Sequence, residues 1–118
     1  MADTDIRLET EDLGSVLVIK VLNSRIKYEQ SAEFGEQLQQ AINIYDGGNV
    51  LLDLEEVDYL TSDTLGRLIS LRKSLGDGGE MKIVLTNKTV REVFKITNLD
   101  TIIEVHSSKA KALKAFDA

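Results

Sequence analysis

Twice along the chain a stretch with helical periodicity runs into Asp-Gly-Gly and then into a short, mostly apolar run. Asp46-Gly47-Gly48 precedes Val50-Leu51-Leu52-Asp53-Leu54, and Asp77-Gly78-Gly79 precedes Met81-Lys82-Ile83-Val84-Leu85. A near-continuous apolar run of this length suits a strand shielded on both faces, and a glycine just before it supplies the left-handed residue that closes a helix. The repeated helix-turn-strand passage therefore constrains the chain to helices packed on a sheet. A phosphate cradle is the other use of paired glycines. Both pairs follow helix C-termini, where the partial charge is negative and repels an anion.

The segments around these passages complete the pattern. Ile6 to Thr10 and Ser15 to Val21 read as strands flanking the turn-like Glu11-Asp12-Leu13-Gly14, which predicts an antiparallel hairpin. A helix is expected from Glu29 to Tyr45, with Phe34, Leu38, Ala41, Ile42 and Tyr45 on one stripe. A further helix from Thr89 to Ile96 would bury Val90, Val93 and Phe94, with Asn98 in a left-handed cap. A strand from Thr101 to Val105 and a helix from Ser108 to Phe116 end the chain. The order ββαβαβαβα predicts an α/β fold with a mixed sheet, in one domain spanning residues 1–118. Proline is absent and nothing in the composition marks a linker.

Charge and composition narrow the function classes. The formal net charge of −6 argues against nucleic-acid binding, which depends on clustered Lys and Arg. Lys109, Lys111 and Lys114, and Lys88, Arg91 and Lys95, recur at helical spacing and read as solvated faces. No apolar run approaches the ~18 residues of a membrane span. With no cysteine and an acidic N-terminus unlike a secretory signal, the expected location is the cytoplasm, without disulfides or zinc-thiolate sites. One histidine and scattered carboxylates give no metal-ligand spacing, and no cofactor is expected.

Ser62 stands at the junction between the apolar run ending at Leu54 and a helix with Leu65, Leu68, Ile69, Leu71 and Leu75 on its inward arc. As an N-cap its hydroxyl would bond a free N–H of the first turn, for about 1 kcal/mol. As a modification site it is equally well placed, because a helix N-terminus holds a phosphate with little strain. Ser62, Asp63, Gly66, Arg67, Ser70 and Lys73 share the outward arc. Gly66 there would either admit a partner's backbone or pack against the sheet.

The run Tyr59-Leu60-Thr61-Ser62-Asp63-Thr64-Leu65-Gly66 resembles the core motif of the STAS domain, the module of bacterial anti-sigma-factor antagonists and of sulphate-transporter tails. Gly79 to Leu85 resembles the next strand of that family, and Val93 to Leu99 its helix ending. The family motif Asp-Ser-Ser-Gly-Leu-Gly is matched at Ser62, Leu65 and Gly66, whereas Thr61, Asp63 and Thr64 depart from it. Asn23-Ser24-Arg25-Ile26-Lys27 is similar to the family's Gly-Arg-Leu-Asp loop, with Ser24 for glycine and Lys27 for aspartate. The resemblance implies a binding module without catalysis of its own, which engages an anti-sigma factor that is also a serine kinase. It implies phosphorylation at Ser62, reversed by a PP2C-type phosphatase, and a partner surface of Ser24, Arg25, Asp58, Tyr59, Thr61, Asp63, Gly66, Arg67 and Ser70. An unphosphorylated scaffold or accessory subunit of a transporter is the alternative that the family leaves open.

Other classes fit less well. A phosphoaspartate receiver would use Asp53 and Thr86, but Glu11-Asp12 lie in a hairpin turn and no lysine directly follows Val105. A serine hydrolase would need a base beside Ser62, and the sequence offers only His106, with no G-x-S-x-G elbow.

Overall fold

The computed structural model describes residues 5–45 and 48–117, so the first Asp-Gly-Gly passage lies outside the described residues at Asp46 and Gly47. The strands are β1 (Leu8–Asp12), β2 (Leu17–Val21), β3 (Val50–Asp53), β4 (Met81–Val84) and β5 (Glu104–His106). The helices are α1 (Ser31–Ile44), α2 (Ser62–Ser74), α3 (Lys88–Ile96) and α4 (Lys109–Asp117), and the order is the expected ββαβαβαβα. The five strands form one mixed sheet in chain order, β1 antiparallel to β2 and every later pair parallel.

Each strand sends alternate residues to opposite faces, and the two faces are covered differently. On the main face Ile19, Val21, Leu52 and Ile83 meet Phe34, Leu38 and Ile42 of α1, Leu65, Leu68 and Leu71 of α2, and Val90 and Phe94 of α3. On the other face Val16, Val18, Leu51 and Val84 meet Ala112, Leu113 and Phe116 of α4. The rest of that second face is ionic. Register places Glu9, Lys20 and Asp53 in one cross-strand row, and Glu11, Val18, Leu51, Lys82 and Glu104 in the next. The buried Lys82 ammonium lies 2.8 Å from Glu104 and 3.1 Å from Glu80, and 5.0 Å from the centre of the Phe116 ring. Burial alone would lower its pKa, but the two carboxylates outweigh that and raise it.

Several boundaries differ from the sequence expectation. Glu11 and Asp12 pair with Val18 and Leu17 rather than forming the turn, which tightens to Leu13–Val16 with Gly14 at φ 88°. The first helix opens with a 3-10 turn at Tyr28–Gln30. The last strand begins at Glu104, because left-handed Asn98 (φ 61°) leads into another 3-10 turn at Leu99–Thr101. After α2 the left-handed residue is Gly76 (φ 65°), not a glycine of Asp77-Gly78-Gly79. Gly79 has a different job: a Cβ there would stand 2.0 Å from the Gly48 carbonyl oxygen, so the two passages touch backbone to backbone.

Candidate partner and phosphorylation surface

The loops after β2 and β3 leave neighbouring parallel strands at their C-terminal ends, so they emerge side by side. Backbone bonds then join them. The Asp58 N–H donates to Ser24 O at 2.7 Å and the Ile26 N–H to Tyr59 O at 3.0 Å, around a parallel bridge between Arg25 and Tyr59. The Arg25 guanidinium lies over the Tyr59 ring, 4.2 Å from its centre. Buried Asn23 anchors the first loop by accepting from the Arg7 N–H at 2.8 Å and donating to Asp5 O at 2.8 Å. Ser24, Arg25, Asp58 and Tyr59 are thereby brought together as one exposed ridge.

The second loop ends in the cap of α2. Thr61, not Ser62, is the N-cap: its backbone is extended (φ −104°, ψ 165°) and its Oγ1 accepts from the Thr64 N–H at 3.3 Å. Threonine and serine both cap well, so the preceding extended residue takes the position and Ser62 becomes the first helical residue. Its side chain is exposed and makes no hydrogen bond among the described residues.

Beneath Ser62 lies a polar clasp between α1 and α2. Each hydroxyl has one proton to give, which fixes the direction of the chain. Ser31 Oγ donates to Asp63 Oδ2 in a short hydrogen bond, Thr64 Oγ1 donates to Ser31 Oγ at 3.4 Å, and Thr61 Oγ1, 3.2 Å from Thr64 Oγ1, donates to it. The Arg67 Nε–H is shared between Ser31 Oγ at 3.0 Å and Asp63 Oδ2 at 3.2 Å. Ser31 is 1% exposed and Thr64 fully buried. The Arg67 stem passes over Gly35, where a Cβ would lie 3.0 Å from Arg67 Cδ. The hydrogen bond from Ser31, reinforced by Arg67, holds the Asp63 carboxyl below its ordinary pKa.

Along the rest of α2 the expected outward arc is present. Gly66 and Ser70 are exposed, the Ser70 hydroxyl donates to Gly66 O at 3.3 Å, and a Cβ at Gly66 would meet nothing within 4 Å. Gly66 therefore does not pack against the sheet. Thr61, Asp63 and Arg67 of the expected surface belong to the clasp, whereas Ser62, Gly66 and Ser70 form its open ridge. Sequence reasoning missed Ser31, Thr64 and Gly35. Ser31 stands three residues before Phe34, which extends the buried stripe of α1 and would have signalled its burial.

The residues weighed for other chemistry are placed elsewhere. Asp53 is 2% exposed on the second face and accepts from the Glu55 N–H at 3.0 Å. Burial and the neighbouring Asp53 raise the Glu55 pKa. His106 pairs with Glu104 at 2.6 Å on β5. Among the described residues no group of three or more His, Cys, Asp or Glu could hold a metal ion, and no helix is long and apolar enough to cross a membrane.

The STAS domain family matches residues 7–112, which takes in the joined loops, the clasp and the ridge. The chain belongs to the STAS domain family. A Thermotoga neapolitana protein named provisionally as an anti-sigma factor antagonist is 33% identical to it over 82 residues, covering 69% of this STAS chain and 68% of the relative. The fold matches a solved anti-sigma factor antagonist from Mycobacterium paratuberculosis with a TM-score of 0.87 at 21% identity, over 98% of this chain and 97% of that one. It also matches the Bacillus cell fate determinant SpoIIAA. The TM-score is 0.75 at 15% identity for the unphosphorylated form, over 94% of this chain and 96% of that one. For the phosphorylated form it is 0.67 at 16% identity, over 95% and 99%. The sheet and four-helix arrangement is thus that of the SpoIIAA-like STAS fold.

Proposed function

We propose that this STAS domain is an anti-sigma-factor antagonist that binds an anti-sigma factor with serine-kinase activity and is released when Ser62 is phosphorylated. It regulates transcription indirectly, without catalysis of its own, and a PP2C-type phosphatase resets it. The observation that carries this reading is the fate of the hydroxyls in Thr61-Ser62-Asp63-Thr64. Thr61 is spent on the cap and Thr64 is buried, while Ser62 is exposed in the first helical turn with no side-chain partner.

The physical sequence of events follows from placement. In the unmodified state the ridge of Ser62, Gly66 and Ser70 offers an uncharged and closely approachable surface, next in the chain to the loop that carries Tyr59 against Arg25. A phosphate on Ser62 adds about −1.5 to −2 charges to that ridge. The backbone N–H groups of the first turn accommodate the anion within the domain, but a partner already docked there would have to bury it. Release therefore needs no refolding. Two further facts support the reading: the provisional name of the Thermotoga relative, and the occurrence of the same fold in phosphorylated and unphosphorylated SpoIIAA.

The test begins by purifying the tagged protein from its native cell with whatever accompanies it, adding ATP, and mapping phosphate by mass spectrometry. Phosphate on Ser62 together with loss of the partner is the expected result. Phosphate only on Thr61 or Thr64, or a partner retained after stoichiometric modification of Ser62, would overturn the proposal. A transporter subunit as the sole companion would favour the scaffold role.

A further inference from the structure

We propose that Ser31 and Gly35 of α1 are positioning residues of the switch: they hold Arg67 and Asp63 against α1, so that a phosphate on Ser62 is displayed without an internal counter-ion. The inference rests on Ser62 being the modified residue, and concerns what the rest of the molecule does about the charge placed there.

A basic side chain one turn on, at i+3 or i+4, is placed to pair with a phosphoserine in the first turn of a helix. Here those positions are Leu65, which is buried, and Gly66, which has no side chain. The basic residue next along the helix is Arg67. Its Nε–H is committed to Ser31 and Asp63, and its stem lies in the groove that Gly35 leaves open. Arg25, in the adjoining loop, is engaged over Tyr59. Ser31 is the hub of this arrangement, because its hydroxyl makes one donation and two acceptances, its full capacity, and all three partners belong to α2.

The consequence is electrostatic. A phosphate that captured Arg67 would lose about half its charge to an internal ion pair and would repel a partner less. With the Arg67 Nε–H turned to Ser31 and Asp63 and its stem seated over Gly35, the charge of the phosphate remains outward. Asp63 is drawn into the same clasp through Oδ2 and makes no hydrogen bond to the Ser62 hydroxyl. The side chain that replaces the family's serine at this position thus acts on Arg67 rather than on the acceptor.

The test installs phosphoserine at position 62 during translation of the full chain and follows its second ionisation by phosphorus NMR. The parent gives the reference titration, which already includes the effect of the first-turn N–H groups on an ordinary value of about 6. Ser31→Ala and Gly35→Ala should each free Arg67 and lower that value by about one unit, the effect of a nearby opposite charge. Adding Arg67→Gln to either should restore the parent titration. Gly35→Ala keeps the measurement decisive even where Ser31→Ala folds poorly, because alanine is a better helix former than glycine. Single variants that titrate like the parent would overturn the inference. So would a shift that persists with Arg67→Gln. Since the phosphate is installed rather than transferred by a kinase, an unshifted titration refutes only the role of Ser31 and Gly35. Absence of phosphate from Ser62 after kinase treatment refutes only the proposed function.

Discussion

The Arg25 guanidinium stands 4.2 Å from the centre of the Tyr59 ring, across a bridge that ties the loop after β2 to the loop after β3. Both side chains are exposed, so the contact organises a surface rather than a core. Arg25→Ala and Tyr59→Ala should each cost little stability, and a double-mutant cycle should give a coupling of about 0.5–1 kcal/mol. Partner binding, measured by titration calorimetry, should fall much further than stability in both. A loss of binding matched by an equal loss of stability would reduce the pair to a structural brace.

The change of cap from Ser62 to Thr61 reorders the expected stabilities. Thr61→Ala removes the hydroxyl that accepts from Thr64 and should cost about 1 kcal/mol in urea unfolding. Ser62→Ala should be close to neutral and keep binding. Ser62→Asp places a negative charge in the first turn, where the helix dipole favours it by about 0.3–1 kcal/mol, yet it should bind the kinase more weakly. The more stable variant is then the poorer binder, an ordering that damaged folding cannot produce.

Gly66→Arg tests the open ridge. A side chain there meets nothing within 4 Å, and leaving glycine gains up to about 1 kcal/mol of helix propensity. The melting temperature should hold or rise while binding is abolished. A lower melting temperature would mean that Gly66 is required by the fold.

Glu55 gives a pH signature away from the site. Burial first, and Asp53 next, raise its folded pKa above 4.5. Its contribution is therefore fully favourable below the unfolded pKa and is lost as the pH rises through the folded one. Glu55→Gln should be more stable than the parent at pH 7, and its advantage should shrink as the pH falls toward about 4.5. Urea midpoints across that range measure it, and a constant difference would contradict the assigned shift.

The order of elements and the stripe of α1 were legible because both rest on periodicity, which a chain carries in its own spacing. The cap was missed by one residue because Thr61 and Ser62 are chemically equivalent candidates, and only the extended backbone at Thr61 decides between them. The exposed position of Gly66 and the seat of Arg67 on Gly35 depend on how α1 meets α2, a relation between segments some thirty residues apart. Likewise the closeness of Gly79 to Gly48 is invisible until the two passages are laid side by side. The glycines announced a helix end, and the contact explains why alanine could not serve at Gly79.

The sheet takes its strands in the order in which they are written. Every pairing joins a strand to the one made just before it, so an emerging chain could add each strand to a finished edge without waiting for anything downstream. One ion pair breaks this order: Lys109 of α4 reaches back 98 residues to Glu11 of β1, at 3.2 Å. During synthesis the helical face would be complete while the opposite face still lay bare, with α4 arriving last across it. In a nascent chain, that bare face is the surface a chaperone would meet.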